Sequence, residues 1–231
     1  MLNVIYEDNH IIVVQKPCNV PSQADKTGDI DMITLVKDYI KEKYNKPGEV
    51  FVGLVHRLDR PVGGIMVFAR TSKGASRLSD SIRKNEFSKT YLAVVNGKFN
   101  NKFGVLEDYL YKNEALNKSM VVSKDKKGAK LARLQYEVLE EKENHSLVKI
   151  KLETGRHHQI RVQFSNNGHP LVGDQKYGKA EPNTQIALWA YKLEFKHPTK
   201  DEILCFTCMP KKVKPWNEFN FIKESSVWEK L

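Results

Sequence analysis

Cysteine is scarce in this sequence, and the few cysteines present are not arranged as a disulfide framework. The 231 residues include three cysteines, and a small odd number is not typical of a disulfide-stapled secreted domain. Cys205 and Cys208 are three residues apart in a β-prone segment, so their side chains are expected to point to opposite faces of a strand. Two thiols on opposite faces cannot bind one zinc ion, and we expect both to pack in the core.

Long apolar runs and a recognisable export signal are also missing. Apolar stretches such as residues 11–14 are far shorter than the ~20 residues that a membrane-spanning helix requires. The N-terminal residues do not show the charged and then apolar pattern of a signal peptide. These absences predict a cytoplasmic protein without a membrane partner.

Two motifs that often indicate a cofactor or a metal are absent as well. The sequence contains neither a glycine-rich phosphate-binding pattern nor a His-Glu-x-x-His pair. We therefore expect no nucleotide cofactor and no catalytic metal ion.

Basic residues, in contrast, are in clear excess. The chain has 38 Lys+Arg against 28 Asp+Glu, a formal net charge of +10. This balance favours a polyanionic partner such as nucleic acid, although a basic surface can also serve solubility alone. Lys73, Arg77 and Lys84 share one stripe of a predicted helix, and more lysines crowd the predicted turn at 124–128. Each group is either a phosphate-binding surface or a plain solvated face.

The composition and the hydrophobic periodicity predict a globular α+β protein. With 40% hydrophobic and 29% charged residues, the chain is most simply one domain over residues 1–231, or two lobes that share a sheet. Apolar spacing predicts helices at 32–45, capped by Asp31, from Thr71 or Ser72 to about 84, and at 157–166, closed by Gly168. The tail with Trp216 and Trp228 is expected to form a short helix. Strands are predicted at 3–6, 10–15, 51–55, 65–69, 88–96, 104–111, 118–122, 131–140, 146–153, 185–196 and 202–209.

One stretch, His56-Arg-Leu-Asp59-Arg-Pro-Val-Gly-Gly64, combines more charge than a core segment needs with a following apolar strand. Arg57 and Arg60 flank Asp59 and are expected to favour its ionised form. An ionised carboxylate can act as a nucleophile or a base. The alternative is an Arg-Asp-Arg salt bridge at the edge of a strand, and the charges alone do not decide between the two.

This stretch resembles the active-site motif of the RluA family of RNA pseudouridine synthases. Three later blocks resemble the family in the same order. They are Lys89-Thr-Tyr-Leu-Ala-Val-Val-Asn-Gly97, Thr154-Gly-Arg-His-His-Gln-Ile-Arg161 and Gly168-His-Pro-Leu-Val-Gly-Asp-Gln-Lys-Tyr-Gly178. Together the four blocks extend over most of the chain.

The resemblance implies both a fold and a reaction. The fold is α+β, an extended, largely antiparallel mixed sheet with flanking helices and a central cleft. The reaction is the isomerisation of specific uridines in ribosomal or transfer RNA to pseudouridine, without a metal or cofactor. The target uridine must be out of its stack, which a loop makes easier. The chain is expected to act as a monomer and to consist of the catalytic domain without a separate N-terminal RNA-binding domain.

The resemblance also implies roles for individual residues. Asp59 would attack the ribose or remove a proton from it, Tyr91 would pack against the target base, and Arg161 would pair with Asp59. Considered alone, Tyr91 is more typical of a core aromatic, and Arg161 of a polar helix start. The substrate-binding residues that the resemblance implies are His56, Arg57, Arg60, Arg156, His158, Gln159 and Ile160.

The chain departs from the family pattern directly after the central motif. Val62-Gly63 stands where many relatives have Thr-Ser, so two hydroxyl groups are absent. Two other functions compete with the isomerase. An N-glycoside hydrolase would need a second carboxylate, and at the first three blocks the only candidate is Glu153, at the end of a strand. A non-catalytic RNA-binding module would not need Asp59, Tyr91 and Arg161 together.

Overall fold

The computed structural model describes residues 2–180, 184–224 and 228–230, and they form two compact units. Unit 1 comprises Met1–Ser88, Ala190–Cys208 and Trp228–Leu231, and unit 2 comprises Lys89–Trp189 and Met209–Val227. The strands are β1 Asn3–Glu7, β2 Ile11–Lys16, β3 Gly53–Leu54, β4 Gly63–Ala69, β5 Ser88–Asn96, β6 Phe103–Asn113, β7 Lys118–Val122, β8 Lys130–Glu141, β9 His145–Leu152, β10 Leu188–Lys196, β11 Ile203–Cys208 and β12 Trp228–Lys230. The helices are α1 Met32–Lys43, α2 Ser72–Arg83, α3 Gln159–Asn166 and α4 Asn220–Glu224, with a 3-10 turn at Trp216–Glu218.

Unit 1 is built around two strands that are buried along nearly their whole length. β2 lies between β1 and β4, and β4 is flanked on its other side by β10, which pairs in turn with β11. Residues Ile11–Val14 and Ile65–Ala69 are fully buried, which explains why both segments read as continuous apolar runs. Gly64 has φ +123°, and a Cβ there would lie 2.3 Å from the carbonyl oxygen of Ala190. Only glycine permits β10 to approach β4 this closely.

Unit 2 is an antiparallel sheet with the order β5-β9-β8-β6-β7. Residues Tyr91–Val95 of β5 are buried. Leu110 of β6, Ala132 of β8 and Val162 of α3 form one buried cluster, which anchors the short helix to the sheet. The α+β class and the largely antiparallel pairing expected from the sequence are therefore confirmed.

Most of the predicted elements are present, and their caps follow the sequence. The Asp31 side chain accepts hydrogen bonds from the backbone of Ile33 and Thr34 at the start of α1. Thr71 accepts from the backbone of Gly74 at the start of α2, and Gly168 ends α3 with φ +82°. Cys205 and Cys208 both lie in strand β11, as expected, but only Cys208 is buried in the core and Cys205 is half-buried.

Several predicted boundaries are wrong by two or three residues, and the helix predicted for the tail, α4, covers only part of it. α1 ends at Lys43, because Asn45 takes a left-handed conformation with φ 45°. α3 begins at Gln159, two residues late, because His158 is left-handed with φ 54°. β10 begins at Leu188 and not at 185. In the tail, Trp216 lies in the 3-10 turn, but Trp228 belongs to strand β12, which pairs with β11.

No helix in the ranges 2–180, 184–224 and 228–230 is long and apolar enough to cross a membrane. Among the same residues, no three His, Cys, Asp or Glu side chains are grouped so that they could hold a metal ion.

Candidate active site

Asp59 lies in a tight turn that joins β3 to β4, and a buried lysine donates hydrogen bonds to the backbone of this turn. The Asp59 carbonyl accepts a hydrogen bond from the backbone of Val62 at 2.9 Å. Lys16, at the end of β2, is 0% exposed, and its Nζ donates to the carbonyl oxygens of Arg60 at 2.9 Å, Val62 at 2.7 Å and Pro17 at 3.0 Å. Two of the three hydrogen bonds of this ammonium group therefore fix the backbone on the C-terminal side of Asp59.

The charge state of Lys16 depends in part on Asp59. Burial lowers the pKa of Lys16 to about 8, while the nearby charges of Cys18 and Asp59 act in the opposite direction. The carboxylate of Asp59 thus stabilises the ammonium form of Lys16. The buried cation near Asp59 is Lys16, which the sequence analysis did not identify.

A serine fixes the residue directly before Asp59. The Oγ of Ser22, which is 5% exposed, donates to the carbonyl of Leu58 at 2.8 Å and accepts from its N–H at 3.1 Å. Asp59 is consequently held on both sides by buried hydrogen bonds from unit 1. The loss of the two hydroxyl groups at Val62-Gly63 does not leave the turn without support.

The guanidinium of Arg60 is directed at the loop that follows β2. It donates to Oγ1 of Thr27 at 2.8 Å and to Asp25 at 3.4 Å, and it forms a further ion pair with Asp29. These bonds tie the 25–29 loop to the Asp59 turn on a partly exposed surface. Arg57 is exposed. Contacts of Arg57 and Arg60 with RNA stay predictions.

His56 contacts the neighbouring strand. Its Nε2 accepts a hydrogen bond from the backbone N–H of Val67 in β4 at 3.1 Å, so a neutral ring carries its proton on Nδ1. The centroid of its ring lies 5.6 Å from that of Phe87. The histidine therefore helps to set the path of the chain that leads to Asp59, and its role in substrate binding stays a prediction.

Tyr91 and Arg161 are both buried in unit 2. Tyr91 is 7% exposed and lies in β5, opposite Ile150 of β9. Arg161 is 5% exposed and lies in α3. Its Nε and Nη2 donate to the two oxygens of Asp174, each at 2.8 Å. Asp174 itself is 0% exposed, so the arginine is fixed by a fully buried, two-point hydrogen bond.

His158 is held as a neutral imidazole at the start of α3. Burial lowers its pKa to about 2, and the charge of Arg161 contributes in the same direction. The hydroxyl of Tyr177 accepts from the backbone of Ser119 at 2.7 Å and lies 2.8 Å from His158 Nδ1. The Tyr177 hydroxyl and Nδ1 of His158 thus share a hydrogen bond, and its donor depends on the tautomer of the histidine.

The other predicted substrate-binding residues of this block differ in exposure. Gln159 is 3% exposed; its Oε1 accepts from Thr154 Oγ1 at 2.8 Å and from the Arg156 backbone at 3.0 Å. Ile160 is 4% exposed. Arg156 is exposed, and its Nε donates to the Leu131 carbonyl at 2.8 Å. Arg156 is thus the residue of this set whose position best suits contact with a large ligand.

The predicted site residues are divided between the two units. His56, Arg57, Asp59 and Arg60 lie in unit 1. Tyr91, Arg156, His158, Gln159, Ile160 and Arg161 lie in unit 2. The pairing of Arg161 with Asp59 stays a prediction.

Four supporting residues had no role in the sequence analysis. The sequence around Lys16 and Ser22 does not indicate their roles. A lysine at the end of a strand ordinarily reaches solvent. Asp174 and Tyr177 stand within the block Gly168–Gly178 that carries the family resemblance, and this block was the signal that could have indicated them.

Comparisons with known proteins agree with these motifs. The family described as RNA pseudouridylate synthase matches residues 10–166. An uncharacterized RNA pseudouridine synthase of Aquifex aeolicus is 33% identical over 220 residues, which cover 89% of this chain and 68% of that protein. Ribosomal large subunit pseudouridine synthase D of Borreliella burgdorferi is 32% identical over 197 residues, 83% of this chain and 60% of that protein.

The fold has counterparts among solved structures. The human protein RNA pseudouridylate synthase domain containing 4 aligns with a TM-score of 0.75 over 90% of this chain and 89% of that one, at 22% sequence identity. At this identity the likeness concerns the fold alone. The match of residues 10–166 and the identity to relatives over most of the chain show that this chain belongs to the RNA pseudouridylate synthase family.

Proposed function

We propose that this enzyme, an RNA pseudouridine synthase, isomerises a uridine of ribosomal RNA, with Asp59 as the catalytic carboxylate and without a metal or cofactor. The observation that carries the proposal is the Asp59 turn. Lys16 and Ser22 fix the backbone on both sides of this one acid of the central motif. A turn held by buried donors suits a group that must be aimed accurately at a reacting atom.

The proposed reaction changes the connection of the base and leaves its composition unchanged. The Asp59 carboxylate attacks the ribose or removes a proton from it, and the bond between the sugar and nitrogen 1 of uracil breaks. The detached uracil turns within the site and joins the sugar again through carbon 5. Carbon 5 then loses its proton, nitrogen 1 gains one, and the carboxylate is regenerated.

Tyr91 and Arg161 complete the proposed site. Tyr91 packs against the target base, and Arg161 pairs with Asp59. The base must leave its stack, at a cost of a few kcal/mol that an unpaired loop reduces. His56, Arg57, Arg60, Arg156, His158, Gln159 and Ile160 are proposed to contact the RNA or to shape the site around it. Arg57 and Arg156 are the exposed members of this set.

Ribosomal RNA of the large subunit is the first substrate to test, and transfer RNA the second. Several relatives that are 30–37% identical carry the name ribosomal large subunit pseudouridine synthase. The excess of basic residues, a net charge of +10, agrees with a polyanionic substrate of either kind.

The position of Glu153 argues against an N-glycoside hydrolase. Such an enzyme needs a second carboxyl group that is available to the substrate or to water. Oε2 of Glu153 pairs with Arg133 at 2.8 Å, and Oε1 accepts from Gln135 at 2.7 Å. Both oxygens of the acid considered from the sequence are therefore engaged within unit 2.

A label at carbon 5 distinguishes the three candidate functions in one assay. Ribosomal and transfer RNA from cells that lack this gene would carry tritium at carbon 5 of uridine. The proposed isomerase releases tritium to water without releasing uracil. A hydrolase releases free, still labelled uracil, and a binding module releases neither. Tritium release that is equal in parent and Asp59→Asn protein would refute the assigned role of Asp59.

A further inference from the structure

Asp174 is the most completely buried carboxylate in the described part of unit 2, and both of its oxygens accept hydrogen bonds. Its side chain is 0% exposed. It accepts from Nε and Nη2 of Arg161, each at 2.8 Å, from the backbone of Lys176 at 2.9 Å and from the backbone of Tyr177 at 3.1 Å. Four donors thus fix both oxygens of the carboxylate.

This arrangement determines the orientation of the Arg161 guanidinium. Two parallel bonds to one carboxylate fix the plane of the planar group and not only its position. The bonds use Nε and Nη2, so Nη1 lies outside the pair. The backbone N–H groups of Lys176 and Tyr177 in turn restrict the rotation of the Asp174 side chain. The segment 174–177 therefore fixes the arginine.

Tyr177 of the same segment supports the arginine from a second side. The Arg161 Cζ lies 5.3 Å from the centroid of the Tyr177 ring, within the range of a cation–π contact. The Tyr177 hydroxyl holds His158, which is neutral and adds no competing positive charge beside Arg161.

We propose that Asp174 is a positioning residue for the isomerisation, which fixes the guanidinium of Arg161 through the buried two-point bond. The inference rests on the function proposed above, in which Arg161 acts at the reacting centre. Asp174 touches neither the uridine nor Asp59 in this proposal, and it acts through Arg161 alone.

Stability alone is a weak reason for such a pair. The desolvation of two buried charges costs much of the free energy that their attraction provides. Buried ion pairs can therefore often be replaced by apolar residues without a loss of stability. The ion pair also fixes the orientation of the Arg161 guanidinium, which an apolar residue cannot do, and this role accounts for the pair.

The test combines one physical and one kinetic measurement on full-length Asp174→Asn. The NMR signal of the Arg161 Nε–H is assigned by its absence from the spectrum of Arg161→Lys. This signal reports the bond to Asp174 directly and does not depend on activity. In the parent this proton should exchange slowly, and in Asp174→Asn it should exchange fast. The turnover number, measured as tritium release, should fall about 100-fold, as expected when a reacting group is misplaced by about 1 Å, while the Kd for RNA stays unchanged.

A double-mutant cycle shows whether Asp174 acts through Arg161. If it does, Asp174→Asn should lower turnover no further in an Arg161→Ala protein. Losses that multiply would overturn the proposal. The exposed Asp201, which pairs with Lys196 on the surface, supplies a matched control, and Asp201→Asn should leave turnover and melting temperature as in the parent.

The remaining outcomes separate this proposal from the proposed function. An active parent and an equally active, folded Asp174→Asn would overturn the positioning role and leave the isomerase intact. A parent that makes no pseudouridine would refute the isomerase and the positioning role together. Should Asp174→Asn fail to fold, Arg161→Lys decides, because it leaves Asp174 a cationic partner but no planar fork. Turnover near that of the parent in Arg161→Lys would overturn the proposal.

Discussion

Lys16 Nζ donates a hydrogen bond to the carbonyl oxygen of Val62 at 2.7 Å, although the two residues are 46 positions apart in the chain. This bond connects the end of β2 to the turn that carries Asp59. A buried lysine at this position means that the orientation of the motif depends on a group outside the motif. The support of the proposed catalytic acid can therefore be tested without changing the acid itself.

Lys16→Met should destabilise the protein and impair turnover. Methionine has a similar length but no donor, so the carbonyls of Pro17, Arg60 and Val62 lose their buried partner. One unsatisfied buried group costs about 1–3 kcal/mol, and urea unfolding should show a loss of at least that size. Lys196→Met, at a lysine whose side chain is 62% exposed, is the control. Equal stability of the Lys16 variant and the parent would contradict the assigned support.

His158 should remain neutral throughout the pH range in which ordinary histidines titrate. Its pKa is about 2 in the folded protein and about 6.5 when unfolded. Below pH ~6.5 the unfolded chain binds a proton that the folded protein does not, so the histidine lowers stability as the pH falls. Its NMR signal should not shift between about pH 8 and pH 4.

His158→Asn provides the comparison, because asparagine tolerates the left-handed backbone of this position and still offers Tyr177 an acceptor. The stability of this variant should fall less than that of the parent between neutral pH and about pH 4. A normal titration of His158 in the parent would show that the ring is not buried as described.

Local patterns predicted the strands and the caps well, because these depend on neighbours in the sequence. Asp31 at the start of α1 and Thr71 at the start of α2 are examples. The left-handed turn at His158 was missed, since few non-glycine residues take this conformation. Lys16 and Asp174 were missed for another reason. Arg60, a partner of Lys16, and Arg161, the partner of Asp174, lie 13 or more residues away, and no local pattern distinguishes a buried charge from an exposed one.

RNA binding should weaken steeply as salt increases. The basic residues of 73–84 and 112–133 are the candidate phosphate contacts, and Lys73 and Lys84 are exposed. Each neutralised phosphate should contribute about 0.7–0.9 to the slope of log affinity against log salt. Lys73→Gln should lower the slope by one such step, whereas Lys41→Gln, at an exposed lysine on α1, should not. An affinity that is independent of salt would remove the electrostatic argument.

Arg161→Ala should reduce turnover far more than RNA affinity. In the proposed reaction the arginine pairs with Asp59 at the reacting centre, so its contribution falls on the transition state and not on the bound RNA. Single-turnover tritium release and filter binding on one preparation would measure the two effects. A variant with weaker RNA binding but unchanged turnover would instead place Arg161 among the ordinary RNA contacts.

The central claim is that Asp59 carries out the chemistry, and Asp59→Asn tests it most directly. Asparagine keeps the size and much of the hydrogen bonding but removes the charge and the reactive oxygen. We expect a folded protein that binds RNA as the parent does and forms no detectable pseudouridine. If Asp59 served only a salt bridge, the variant would lose stability and the folded fraction would remain active. Pseudouridine formation by folded Asp59→Asn at a rate near that of the parent would contradict the account.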